Sequence, residues 1–209
     1  RSGHSFPTRR SSDLLNKIFK YFGDEIYSKR IARKIIEVRK KKIIDTETLT
    51  QIVDKVKKFK NYKTNSSTKV FQALRIFVNK EISELINGLI SAYNLLPIGG
   101  IMIVVTFHSL EDKIVKFFFK NYSEIKNSSR YMPNKEKNIS YFKLQNKKPL
   151  TASMTELKLN PSSRSAKLRY ATKIRNNCNF DEFKKKFKYL LDIENLEFAK
   201  WKNYYFFYQ

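Results

Sequence analysis

Cysteine is almost missing from this chain. Cys178 stands alone, so no internal disulfide can form, and such usage suits a reducing cytoplasm. Histidine is as scarce: His4 and His108 with one thiol cannot assemble a zinc cage of the Cys/His kind, and no metal site is expected. No long apolar run goes unbroken. Leu89 to Phe107 is nearly long enough to cross a bilayer, but Asn94, Pro97 and Gly99-Gly100 interrupt it. It reads as a helix end, a turn and a strand. No short apolar core follows the basic start, so no signal peptide is read there. Acid is in short supply, with 19 Asp+Glu against 43 Lys+Arg and a net charge of +24. A field of that sign attracts polyanions, of which nucleic acid is the commonest. The other source of such charge is a Lys- and Asn-rich proteome, and Lys40-Lys41-Lys42 and Lys184-Lys185-Lys186 look like solvated faces.

What remains is enough for a core: 41% of the 209 residues are hydrophobic, which suits one domain or a domain with a small appendage. Residues 1–14 have no periodicity, resemble translated sequencing-adapter read-through, and are expected to be an artefactual, disordered leader. Leu15, Ile18, Phe19 and Phe22 then share a helical face. Ile31, Ile35 and Val38 form the stripe of a second helix, and Leu49, Ile52, Val53 and Val56 that of a third, capped by Asp45 or Thr46. Lys57 to Ser67 reads as a polar linker. One long helix is predicted from the spacing of Leu74, Phe77, Val78, Ile82, Leu85, Ile86, Leu89, Ile90 and Tyr93, stopping at Pro97.

Ile101 to Phe107 is a short β-branched run, predicted to be a strand buried on both faces. Ser109-Leu110-Glu111-Asp112 fits a capping box, opening a helix that carries Ile114, Val115, Phe117 and Phe118. Asn121 to Lys148 reads as a surface loop. Ala166, Leu168, Tyr170 and Thr172 alternate with Lys167, Arg169, Ala171 and Lys173 at the period of a strand. An amphipathic helix over roughly Asp181 to Ala199 precedes the aromatic tail Tyr204 to Tyr208, which is expected to pack on the core. Helix, turn, strand and helix in that order make an α/β unit, whose ligands sit beyond the strand's carboxyl end. Thr106, Phe107, His108 and Ser109 occupy that position.

Four segments, taken in order, carry a resemblance. They are Tyr21-Phe22-Gly23-Asp24-Glu25 with Lys29-Arg30-Ile31-Ala32-Arg33; Thr68-Lys69-Val70-Phe71-Gln72-Ala73-Leu74-Arg75-Ile76-Phe77-Val78-Asn79; Phe107-His108-Ser109-Leu110-Glu111-Asp112-Lys113-Ile114-Val115-Lys116; and Asn160-Pro161-Ser162-Ser163-Arg164-Ser165-Ala166-Lys167-Leu168-Arg169. Together they resemble the RsmH (MraW) type of 16S ribosomal RNA cytosine-N4 methyltransferase. The resemblance implies an α/β fold: a partial, Rossmann-like S-adenosylmethionine-dependent methyltransferase, late strands only, with an inserted α-helical domain. Residues 15–67 would be that substrate-recognition insertion, 68–175 the C-terminal part of the methyltransferase domain, and 176–209 a basic aromatic helix and tail.

It also implies S-adenosylmethionine as cofactor, and 16S rRNA of the small ribosomal subunit as cytoplasmic partner. The family's glycine-rich cofactor loop, acidic ribose-binding residue and Asp-Leu-Gly strand precede the region matched. The chain is therefore expected to lack the cofactor-binding half and to be inactive alone. Arg1-Ser2-Gly3-His4-Ser5 faintly resembles the family's Gly-Gly-His-Ser loop, but only a handful of residues separates it from the helical segment. Asn65-Ser66 replaces the family's usual His-Pro.

Methyl transfer to an exocyclic amine needs a placed nitrogen and a group that takes its proton. The candidate catalytic residues are His108, Ser109 and Glu111. Each has a plainer reading: a loop-bonding imidazole, a helix cap (shared with Asp112), and a first-turn carboxylate favouring the helix dipole. For RNA or substrate the candidates are Arg30, Arg33, Lys69, Gln72, Arg75, Asn79, Arg164, Lys167 and Arg169, which as phosphate contacts would set affinity more than sequence choice. The rival to an enzyme is a non-catalytic basic RNA-binding relic of one.

Overall fold

A computed structural model describes residues 6–41, 43–57, 65–123 and 140–196. The chain is mixed α/β. In order it runs α1 (Phe6–Tyr21), α2 (Ser28–Arg39), α3 (Thr46–Val56), α4 (Thr68–Asn79), α5 (Glu81–Leu95), β1 (Ile101–Thr106), α6 (Ser109–Ser123), β2 (Phe142–Leu144), β3 (Leu150–Thr151), α7 (Met154–Leu159), a 3-10 turn (Pro161–Ser165), β4 (Lys167–Lys173) and α8 (Asp181–Asn195). The described residues divide into two compact units, one within 1–82 and 189–209 and the other within 83–188.

The first unit follows from its helical stripes. Ile18, Phe19, Phe22, Ile31, Ala32, Ile52, Val53, Val70, Ala73 and Ile76 are all buried. Each large apolar side chain so removed from water contributes about 1.5–3 kcal/mol. Gly23 lets α1 and α4 approach: a Cβ there would lie 2.4 Å from the Lys69 carbonyl oxygen. Asp45, rather than Thr46, caps α3, its Oδ1 accepting from the Thr48 N–H at 2.7 Å. The first helix starts at Phe6, inside the stretch expected to be disordered. Pro7 does not forbid this, because a proline in a helix's first turn gives up only an N–H that has no partner there.

The long helix predicted through Leu74 and Tyr93 is two helices. Lys80 turns left-handed between them (φ 54°, ψ 38°), a conformation that the hydrophobic period does not report. Two contacts hold the break. Arg75 and Asn79 donate to the Glu81 carboxylate at 2.8–3.3 Å. Buried Glu194, from α8, accepts the Ile82 N–H at 3.0 Å, satisfying an amide orphaned at the new helix start.

In the second unit, β1, β4 and β2 form an antiparallel sheet in that order, and β3 also pairs with β4. The register sets Thr106 opposite Lys167, Val104 opposite Arg169 and Ile101 opposite Thr172. Strand β1 is buried on one face, not two. Met102 and Thr106 are buried, while Ile101, Ile103 and Val105 are 55%, 62% and 48% exposed. The β-branched run gave no alternation from which to read that. Helix α6 packs Ile114, Val115, Phe118, Phe119 and Tyr122 inward, with Phe117 only half-buried. Phe118 sits 5.0–5.7 Å, ring centre to ring centre, from Phe142, Phe180 and Phe183.

Part of the predicted 121–148 loop is structured. Its residues 121–123 end α6, and Phe142 is fully buried on β2, because one aromatic in a polar stretch suffices to pin a short strand. Residues 124–139, most of the predicted linker (58–64) and the aromatic tail lie outside the described residues. Among those described, no helix is long and apolar enough to cross a membrane.

Candidate functional site

Strand β1 ends at Thr106 and α6 begins at Ser109, so Phe107 and His108 form the turn at the strand's carboxyl end. A capping box closes this turn, but His108 is its cap where the sequence suggested Ser109. The Glu111 N–H donates to His108 Nδ1 at 3.3 Å. In return Glu111 Oε2 accepts the N–H groups of Phe107 and His108 at 2.8 and 3.2 Å. Glu111 Oε1 lies 3.2 Å from His108 Nε2.

An accepting Nδ1 needs its lone pair, so the neutral ring carries its proton on Nε2, the nitrogen 3.2 Å from the carboxylate. The histidine side chain is 8% exposed and the glutamate's 23%. Burial pushes the Glu111 carboxyl up, but the His108 ring and the Phe107 N–H outweigh it and hold it below the ordinary value. The turn thus presents a charged carboxylate on an oriented imidazole, able to accept a hydrogen bond from an amine. Ser109 is exposed at the first residue of α6.

Asp112, weighed as a cap, does something else. Its Oδ2 accepts Lys167 Nζ at 3.0 Å and its Oδ1 accepts Arg169 Nε at 2.8 Å, joining α6 to β4. Burial raises the Asp112 carboxyl, and the two cations more than reverse that, leaving it below the ordinary value. The Arg169 side chain is 10% exposed, against 40% for Lys167. Arg169 is therefore held as an internal ion pair, whereas Lys167 keeps an open side. Arg164 is exposed in the 3-10 turn before them.

The remaining basic candidates belong to the first unit. Arg30 and Arg33 lie one turn apart on the exposed side of α2, whose opposite side buries Ile31, Ala32, Ile35 and Ile36. Lys69 is exposed and its Nζ donates to the Asp24 carbonyl at 2.9 Å, with Gln72 half-buried one turn on. Arg75 and Asn79 are brought together, on Glu81.

Three polar arrangements escaped the sequence reading. Lys173, 2% exposed, donates to the carbonyls of Tyr93 and Leu96 at 2.8 and 2.7 Å, capping the end of α5. Glu25, 4% exposed, pairs with Lys57 at 2.5 Å and accepts the Tyr27 N–H. Glu194 is the third, described above. Lys173 and Glu194 are single charges within a strand and a helix, and Glu25 lies in the turn between α1 and α2; only their partners, distant in sequence, mark them as buried.

The described glycines do not make a cofactor cradle. Gly23 serves helix packing, Gly88 lies in α5, and Gly99 (φ 87°) with Gly100 makes the turn before β1; Gly3 is outside the described residues. These residues do not fit an adenosine-bearing cofactor.

A model of the MraW methylase family matches residues 8–174. Proteins called ribosomal RNA small subunit methyltransferase H are similar over about four-fifths of the chain. The one from Afipia carboxidovorans is 42% identical over 165 residues, 78% of this chain and 49% of its own length. That of Ehrlichia canis is 44% identical, over 80% of this chain and 54% of its own. That of Rickettsia bellii is 45% identical, over 80% and 56%. The chain spans about half the length of the curated relatives it matches.

Proposed function

This chain belongs to the MraW methylase family, and on that premise we propose that the whole protein is a cytoplasmic methyltransferase acting on 16S rRNA of the small ribosomal subunit. It would move a methyl group from S-adenosylmethionine to N4 of a cytidine. The observation that supports this reading best is the His108–Glu111 box at the carboxyl end of β1, where a charged carboxylate rests on an oriented imidazole. In the reading, Glu111 accepts a hydrogen bond from the cytosine amine, His108 holds that carboxylate in place, and Ser109 lies at the rim. S-adenosylmethionine, when bound, supplies an electrophilic methyl group, and its site is assigned to the half of the family protein that this chain does not span.

The rest of the chain takes the substrate side. Residues 15–67 would be a helical domain inserted in a Rossmann-like fold, 68–175 its late strands and helices, and 176–209 an appended helix and tail. Arg30, Arg33, Lys69, Gln72, Arg164 and the open side of Lys167 would face RNA, while Arg75, Asn79 and Arg169 act on carboxylates of the chain itself. With its donor site elsewhere, the chain alone is inactive.

Calorimetry with S-adenosylmethionine tests this, on the chain and on the chain joined to a relative's N-terminal half. A methylation assay on small-subunit particles runs beside it. Binding and transfer by the joined protein only are expected. Cofactor binding by the chain itself would refute the assigned division. RNA binding without transfer in the joined protein would favour the non-catalytic relic.

A further inference from the structure

The β1–β4 ladder fixes the backbone only as far as Thr106, paired with Lys167 and bonded through its Oγ1 to the Lys167 carbonyl at 3.3 Å. Phe107 and His108 lie beyond it. The bond that orients the ring, Glu111 N–H to Nδ1, is long at 3.3 Å. A shift of α6 by about half an ångström would break it, since such bonds weaken steeply past the usual range. Something must hold the first turn of α6 against the sheet to that tolerance.

Asp112 is the next residue. Its N–H makes the helix bond to the His108 carbonyl at 3.1 Å, and its carboxylate grips Lys167 and Arg169. Lys167 and Arg169 stand on β4 opposite Thr106 and Val104. The contacts close a ring: β1, the turn, the first turn of α6, Asp112, β4, and back to β1 through the ladder. The Asp112 and Arg169 side chains are 13% and 10% exposed, so water screens this tie little.

We propose that Asp112 is the positioning residue of this turn: through Lys167 and Arg169 it sets the first turn of α6 and keeps the His108 ring in its Nε2–H form. Two of the cations first read as RNA contacts are thereby assigned to the geometry of the site. The competing account is that Leu110, Ile114 and Val115, all buried on α6, hold the helix without help. The functional meaning of the ring's orientation rests on the methyltransferase reading above; the orientation itself does not.

Nitrogen-15 NMR of the imidazoles tests it on the whole chain, with His4→Gln in every sample so that only His108 is read. The parent is expected to show the Nε2–H tautomer. Asp112→Asn should lower the ratio of Nε2–H to Nδ1–H about fivefold and speed exchange of the Glu111 amide by a similar factor, the worth of one neutral hydrogen bond. Asp112→Glu, which can still reach both cations, should restore much of each. A ring ratio and an amide rate within about twofold of the parent in Asp112→Asn would overturn the proposal and leave apolar packing as the cause. If Asp112→Asn does not fold, Arg169→Gln loosens the same tie from β4 and is judged by the same two signals. No methyl donor or RNA is needed, so failure to find methyl transfer leaves this result standing, and an unchanged ring overturns it even where transfer is found.

Discussion

Replacing Lys173 by methionine tests whether a buried ammonium on an interior strand face stabilises the fold. Nζ donates to two main-chain carbonyls in the last turn of α5, at 2.8 and 2.7 Å, and lies 4.3 Å from the centre of the Tyr93 ring. Hydrogen bonds from a charged donor contribute about 1.5–3 kcal/mol each. The helix C-terminus and the ring add about 1 kcal/mol more. Against these stands the cost of stripping water from an ammonium, several kcal/mol. Buried charge pairs can often be exchanged for apolar ones without loss, but there both partners are replaced. Here the partners are backbone carbonyls that no substitution removes. In Lys173→Met they lose their donor, and water can refill the place only in part. We expect a loss of about 3 kcal/mol, read from urea titration by circular dichroism at unchanged slope. Lys184→Met, on the exposed side of α8, should move stability by less than about 0.5 kcal/mol. A Lys173→Met chain within about 0.5 kcal/mol of the parent, or more stable, would show that desolvation cancels the cap.

Glu25→Ala leaves the Lys57 ammonium the Ser66 carbonyl but no countercharge, and should cost about 3 kcal/mol, with unfolding midpoints as the measure; a midpoint like the parent's would mean the pair is solvated. The carboxyls of Asp112 and Glu111 titrate below their ordinary values, so they add stability that is complete above the unfolded values and lost as pH falls through the depressed ones. Urea midpoints should therefore drop below about pH 4, less steeply in Asp112→Asn, and equal slopes in the two would refute the assignment. Burial pushes the Cys178 thiol up to about 12. Iodoacetamide at pH 8 should then modify the folded chain at least about a hundredfold more slowly than the urea-unfolded chain, and equal rates would show an open thiol.

Much of the helical framework was legible because its signal is local. The stripes of α2 and α3, the Asp45 cap and the strand–turn–helix at 101–123 all rest on residues within a turn or two of one another. The break at Lys80 was not legible, since Leu74 to Tyr93 keep helical spacing on both sides of it and the contacts that hold it come partly from Glu194, 112 residues on from Ile82. The exposed face of β1 was hidden for a related reason: apolar side chains fill both faces, and only the burial of Met102 and Thr106 in the folded unit separates them.

The candidate turn shows the same division at close range. Residue types and spacing announced a capped helix after His108, because an acidic residue three positions past a cap is a sequence-local feature. Which residue serves as the cap, and where the imidazole proton sits, depends on ring geometry that spacing does not carry. The alternation in 166–173 determined by itself that a strand runs there with Lys167, Arg169 and Lys173 on one side. Only the tertiary structure decided that this cationic side faces inward. A basic side chain is stable in the interior when acceptors converge on it, and those acceptors, Asp112 and the last carbonyls of α5, arrive from 55 to 80 residues away.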